Sequence, residues 1–304
     1  MITGGAGFIG SHLARALAEK NQVFIYDDLS SGRLRNIQGL DAELIEGSLA
    51  DLDLLHRSFK GMDYVFHLAA QVSVPGSVDD PIKCHLINQT GTLNVLLAAR
   101  DCEVRKVVNT SSAAVYGDEP TLPKREDMLP LPLSPYAVAK LAGEHYCQVF
   151  QRLYGLATTS LRLFNVFGPR QDPRSAYAAV IPKFMEQARK GEKLTVHGDG
   201  SQTRDFIYVD DVVRGFILAA QTPASNGMVI NLARGESISL NELGEHILSL
   251  YGRMWKGGHV NLPPRAGDIK HSVADIALAK EHLGFAPEFT VKAGLQAMRR
   301  GLDA

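Results

Sequence analysis

Thr3-Gly-Gly-Ala-Gly-Phe-Ile-Gly10 opens the chain, and its reading decides the fold. Gly4, Gly7 and Gly10 are spaced by three. In a strand–loop–helix unit the first such glycine permits a tight turn. The second lets a pyrophosphate approach the backbone, and the third lets helix and strand pack closely. The N–H groups that begin the helix then face the phosphates. A glycine triplet alone is often just a turn, so its neighbours have to decide. Helical periodicity follows at once over 8–19, and Val23-Phe-Ile-Tyr26 reads as a buried strand that ends at Asp27 and Asp28. A carboxylate at that point accepts hydrogen bonds from adenosine ribose hydroxyls and repels a 2′-phosphate, so Asp27 favours NAD over NADP. Arg33 and Arg35 are either solvated loop charges or a counterweight to that preference, and Asp28 could equally cap a loop.

Outward from this unit, strand-like and helix-like segments alternate. Strands are expected at Glu43–Glu46, Tyr64–Leu68, Val104–Asn109 and Thr158–Leu163, with helices over 81–100 and 135–154. This alternation predicts an α/β fold, a doubly wound parallel sheet of Rossmann-like type with helices on both faces. Only Met1, Ile2 and Thr3 precede the glycines, so the first strand is expected to be a stub in the middle of the sheet, or to lack residues. From about Asn165 the texture changes, with a loop at Gly168–Pro173, a turn at Gly198–Ser201 and helices expected over 177–190, 210–221, 239–251, 274–283 and 290–301. The expected division is a dinucleotide-binding domain over 1–165, with a returning segment near 209–232, and a smaller, discontinuous substrate lobe over 166–304.

The bulk numbers exclude several classes. With 32 basic and 33 acidic residues in 304, the formal charge is −1, too small a field to gather nucleic acid or an acidic membrane surface. The 3 cysteines form no Cys-x-x-Cys pair and the 10 histidines show no metal-ligand spacing, so no metal is expected. No apolar run of spanning length or export leader is found, and a reduced, cytoplasmic protein is expected.

Chemistry enters with Ser134-Pro-Tyr-Ala-Val-Ala-Lys140. Tyr136 and Lys140, four apart on a helix, share a face. A free phenol titrates near pH ~10 and is a poor base at neutrality. The expectation is that the lysine charge and an oxidised nicotinamide favour the phenolate. Tyr136 would then take a proton from an alcohol. Ser112, in Thr110-Ser-Ser-Ala-Ala-Val-Tyr-Gly117, would hold the substrate oxygen, or merely cap a turn.

These motifs resemble the extended short-chain dehydrogenase/reductase family, and within it the nucleotide-sugar 4-epimerases of UDP-glucose/UDP-N-acetylglucosamine type. The resemblance covers nearly the whole chain and also rests on Asp27-Asp-Leu-Ser-Ser-Gly32, His67-Leu-Ala-Ala70, Leu161-Arg-Leu-Phe-Asn-Val-Phe-Gly-Pro169 and Arg204-Asp-Phe-Ile-Tyr-Val-Asp-Asp211. It implies NAD as cofactor and a UDP-sugar as substrate. Phe8 and Ile9 would line the pyrophosphate, with Ser30, Ser31 and Gly32 beside Asp27 at the adenosine ribose. Ser48 and Leu49 would flank the adenine, although the family often carries Asp where Ser48 stands. Leu68, Ala69, Ala70 and Gln71 would run along the cofactor, with Asn88 nearby. Ser112, Tyr136 and Lys140 match the catalytic set. Asn165 matches a contact to the diphosphate or sugar, Val180 and Thr195 fall near the uracil, Arg204 and Arg265 match diphosphate clamps, and Asp268 matches a ribose contact.

Ser272 stands where galactose-only epimerases resemble one another in carrying a tyrosine, which implies room for an N-acetyl group. Family dehydratases carry Asp-Glu where this chain has Ser112-Ala113, and decarboxylases tend to carry Glu after the hydroxyl residue, so Ala113 argues against both. A UDP-glucuronate 4-epimerase stays open, and a non-catalytic NAD-sensing scaffold is the rival from another class. The resemblance further implies a homodimer packed through helices near 85–100 and 135–154.

Overall fold

The computed structural model describes residues 1–172, 179–263 and 269–303. Twelve strands run in chain order among them. They are β1 (Ile2–Thr3), β2 (Val23–Asp27), β3 (Ala42–Glu46), β4 (Tyr64–His67), β5 (Lys106–Ser112), β6 (Ala157–Leu163), β7 (Asn165–Phe167), β8 (Leu194–His197), β9 (Thr203–Tyr208), β10 (Met228–Leu232), β11 (Ser237–Ser239) and β12 (His259–Leu262). Seven form one sheet in the order β3-β2-β1-β4-β5-β6-β10, every neighbouring pair parallel. Strand order reverses between β1 and β4, and a crevice at their carboxyl ends is where this architecture places ligands. β11, β9 and β7 make a second small sheet, and β12 and β8 a third.

The first strand is a stub of two residues held from both sides. Ile2 pairs with Ile25 and Phe66, and Thr3 with Tyr26 and His67. Ile2 is buried in a core that it shares with Leu13, Ile25, Phe66, Val212 and Phe216, so the helices Phe8–Ala18 and Val209–Gln221 cover one face of the sheet. On the other face, Leu55, Leu96, Cys147 and Phe150 from the helices Leu52–Phe59, Gly91–Asp101 and Pro135–Tyr154 pack on Tyr26, Val65 and Val107. Burial of each large apolar side chain contributes about 1.5–3 kcal/mol.

The helix Pro135–Tyr154 has clear local causes. Ser134 Oγ accepts the Ala137 N–H at 3.2 Å, Pro135 fills a first-turn position where no N–H is needed, and Gly155 ends the helix at φ +71°. Other elements depart from the sequence pattern. The expected helix over 81–100 is three pieces, Pro81–Cys84, a π-helical turn at His85–Thr90 and Gly91–Asp101. The strand expected at Val104–Asn109 starts later and runs on to Ser112. The helix expected over 210–221 starts at Val209, with Tyr208 holding the N-cap position. The helix expected over 274–283 begins at Ala277, because Ala274 forms a bridge with Lys124 and donates its N–H to Asp205.

Candidate active site

At the crevice, a Cβ on Gly10 would overlap the Gly4 carbonyl, and one on Gly4 (φ +69°) would lie 2.6 Å from the Ala69 nitrogen. These two glycines therefore let the loop, the following helix and the segment after β4 meet backbone to backbone. Gly7 has a looser surrounding, with the Gly4 oxygen 3.1 Å from its virtual Cβ. It occupies the N-cap of Phe8–Ala18, supplies no side-chain cap, and no acidic residue stands in the first turn. That helix start is suited to an anion.

Asp27 ends β2 and is buried. Its Oδ2 accepts the Ala6 N–H and its Oδ1 the Leu29 N–H, both at 2.9 Å. Burial raises its pKa while these two N–H groups lower it. Gly32 passes so close that a Cβ there would lie 2.6 Å from Asp27 Oδ1. Asp28 holds a local turn, accepting from the Ser30 N–H and hydroxyl. Ser30 and Ser31 are exposed beside it. Arg33 is not merely solvated, since its guanidinium reaches Asp172 at 3.2 Å. Ser48 is exposed, its hydroxyl accepting from the Ala50 N–H, while Leu49 is buried against Gly91.

After β4, Leu68, Ala69, Ala70 and Gln71 are half-buried along the crevice. Asn88, from the π-helical turn, clamps this segment. Its Oδ1 accepts the Gln71 N–H at 2.7 Å and its Nδ2 donates to the Gln71 carbonyl at 3.0 Å. Beneath it, His67 is fully buried between the Thr3 and Thr92 hydroxyls, and burial lowers its pKa to about 3, leaving a neutral ring.

The expected catalytic residues converge. Ser112 ends β5, and its hydroxyl is near enough to Tyr136 to lower the phenol pKa. Tyr136 packs with Cys84 and Ala139. Lys140 Nζ donates to the Thr110 carbonyl at 2.8 Å and lies 5.8 Å from the centre of the Tyr136 ring. The protein side chains alone do not supply the expected phenolate. Burial pushes the Tyr136 phenol above its usual value, outweighing Ser112, and Lys140 is not among the groups that lower it. The lysine is itself lowered to about 8 by burial.

Two oxygens at this edge, Gln71 Oε1 and Thr110 Oγ1, are buried with no hydrogen-bond partner. Together with the uncapped helix start and the lone pairs left on Asp27, they fit a bound dinucleotide.

Three of the residues expected around a nucleotide-sugar, Asn165, Thr195 and Arg204, lie on strands of the smaller sheets. Asn165 begins β7 and donates to the Asp205 carbonyl at 3.0 Å. Val180 begins the helix Val180–Arg189, and Thr195 on β8 bonds Gln187. Arg204 on β9 donates to the Thr203 carbonyl. The neighbouring Asp205 carboxylate is buried and accepts the N–H groups of Arg234, Gly235 and Ala274. Ser272 donates its N–H to Thr203. Arg265 and Asp268 lie outside the described residues.

Glu144 and Arg162 were missed. They form a buried pair behind the expected catalytic residues, with Nε–Oε1 and Nη2–Oε2 both 2.8 Å. A charged residue inside the apolar run of β6, and an acid two turns beyond Tyr136, were the available signals. Among the described residues no His/Cys/Asp/Glu group could hold a metal, and no helix is long and apolar enough to cross a membrane.

Residues 1–233 match the model of the NAD dependent epimerase/dehydratase family. This chain belongs to that family. It is 42% identical over 303 residues to a UDP-glucose 4-epimerase of Mycolicibacterium smegmatis, covering 97% of this chain and 95% of the relative. A solved UDP-N-acetylglucosamine 4-epimerase of Methanobrevibacter ruminantium, in complex with UDP-N-acetylmuramic acid, superposes with a TM-score of 0.94 at 42% identity, covering 99% of this chain and 97% of that one. A UDP-glucose 4-epimerase of Thermotoga maritima, solved with UDP-glucose, gives 0.94 at 38% identity with the same coverage. The cofactor of the family is NAD.

Proposed function

We propose that this family member inverts C4 of a UDP-hexose, UDP-glucose/galactose and also UDP-N-acetylglucosamine/galactosamine. The observation that carries the reading is the convergence of Ser112, Tyr136 and Lys140 at the end of β5, beside the loop that Asn88 clamps. Gly4, Gly7, Phe8, Ile9, Gly10 and Asp27 would hold the dinucleotide. NAD+ bound there supplies the acceptor and later the donor of the C4 hydride, and while oxidised adds a positive charge that favours the phenolate. Tyr136 removes the C4 hydroxyl proton and returns one after the sugar has presented its other face. Ser112 holds the sugar oxygen against the phenol. The lobe made by β7–β9, β11 and β12 would retain the nucleotide half through Asn165, Val180, Thr195 and Arg204, so that the keto sugar stays tethered. Ala113 offers no carboxylate for dehydration or decarboxylation.

The assembly we propose is a homodimer. Ile82, Leu86, Val138, Val149 and Leu153 are exposed apolar residues on the helices of one face, Ile82 at 72% and Leu153 at 71%. Sedimentation at the mass of a monomer would count against it.

Separate incubation with UDP-glucose, UDP-N-acetylglucosamine and UDP-glucuronate, followed by proton NMR, tests the activity. Inversion at C4 of the first two is expected, and no turnover of any of them sinks the reading. Replacing Ser272→Tyr is expected to remove acetamido-sugar turnover and spare UDP-galactose. A parallel fall in both would show that Ser272 is not the gate.

A further inference from the structure

The Glu144–Arg162 pair lies behind the catalytic residues and connects the three segments that carry or flank them. Tyr136, Lys140 and Glu144 recur every four residues, so they lie along one face of the helix Pro135–Tyr154. At 1.5 Å per residue, Glu144 sits about 6 Å along the axis from Lys140 and about 12 Å from Tyr136. Its carboxylate takes three hydrogen bonds. Arg162 of β6 supplies two, and Ser111 of β5 donates the third from its hydroxyl at 2.5 Å. Ser111 and Arg162 are direct partners across the two strands, and Ser111 precedes Ser112. On its other side the Arg162 guanidinium lies over the Tyr116 ring, 4.7 Å from its centre. Tyr116 closes the short helix Ala113–Tyr116 that follows Ser112, and its hydroxyl donates to Asn231 of β10 at 2.7 Å. Asn231 donates in turn to the carbonyls of Lys124 and Asp275.

Exposure of the two side chains is 4% for Arg162 and 2% for Glu144. In such a place a charge pair gains little over well-packed apolar residues of the same volume. What it adds is direction. Two parallel hydrogen bonds fix both the rotation and the height of the helix against the strands, whereas an apolar contact tolerates sliding.

We propose that Glu144 and Arg162 are positioning residues, which hold Tyr136 and Lys140 in register with Ser112 by locking the helix to β5 and β6. This rests on the proposed catalytic set, and neither residue touches the substrate in the scheme.

The decisive protein is the paired variant Glu144→Leu/Arg162→Met. It should melt within a few degrees of the parent, since the pair is replaced and not broken. Its kcat should fall about 10- to 100-fold, the loss expected when catalytic groups shift by about an ångström, while KM stays within about threefold. A folded paired variant with parental kcat overturns the proposal, as does a loss confined to KM. Should the paired variant not fold, Ser111→Ala decides, because it cuts only the tie between β5 and Glu144. A several-fold lower kcat at parental KM supports the proposal, and an unchanged kcat overturns it.

One readout needs no substrate. The ultraviolet titration of Tyr136, taken as the difference between each protein and its Tyr136→Phe counterpart, should move in the paired variant. A parental titration overturns the proposal even if no UDP-sugar turns over, which would be a failure of the functional reading alone.

Discussion

Two stretches of one helix treat buried charge in opposite ways. In the first two turns of Pro135–Tyr154, Tyr136 and Lys140 are buried with neutral company. The phenol meets Ser112, and the ammonium meets the carbonyl of Thr110. Both pKa values move toward the uncharged form, the tyrosine up and the lysine down to about 8. One turn further on, Glu144 meets a guanidinium in paired geometry and a hydroxyl. The lesson is that burial alone does not define a reactive group. A buried charge paired with its opposite suits a structural anchor, and one left in neutral company suits a group that a cofactor and a substrate complete.

The largest effect expected from breaking this contrast is at Tyr136. Tyr136→Phe should lower kcat by about a thousandfold, within the range for loss of a positioned acid–base group, and leave the melting temperature within a few degrees. A variant as active as the parent would place Tyr136 among the anchors. The next effect falls on stability. Glu144→Gln leaves Arg162 buried without its partner charge, and should cost about 3–5 kcal/mol in a urea melt. A loss below about 1 kcal/mol would mean that the pair is no anchor.

The smallest effect has the opposite sign. Lys140 has a folded pKa of about 8, below the unfolded value near ~10.4. The fold therefore binds fewer protons than the unfolded chain in that window. The cost of the buried ammonium is fully present below pH ~8 and fades as the pH rises through ~10.4, above which both states are neutral. Lys140→Met, melted without added nucleotide, should be more stable than the parent at pH ~7 by on the order of 2 kcal/mol, while activity falls. The gap should close as the pH rises past about 8. A gap that is absent or independent of pH would show that the ammonium is satisfied after all.

The cofactor half was legible because its periodicities are long and its special positions are glycines. Gly4 could be read as a tight turn and Gly10 as a close-packing site, and Ser134-Pro135 with Gly155 bracket the helix at the residues expected. The smaller sheets were not legible. β7 and β11 have 3 residues each and β8 has 4, too few to show an alternation. The burial of Tyr136 was not legible, because sequence supplies the spacing of a lysine but not the depth or the neighbours of either group. Arg162 stands within a family motif, but nothing in a linear pattern shows which charge faces inward.

The π-helical turn at His85–Thr90 has a geometric consequence of its own. A wider turn inserts an offset into the angular phase of the helix, so that the residues before it and after it face directions no uninterrupted helix could combine. Cys84 on one side packs against Tyr136, and Leu96 on the other is deep in the sheet-covering core, while Asn88 between them turns to the backbone of Gln71. The irregularity thus lets a single continuous segment pack on Tyr136, fill the core and hold the crevice wall at once.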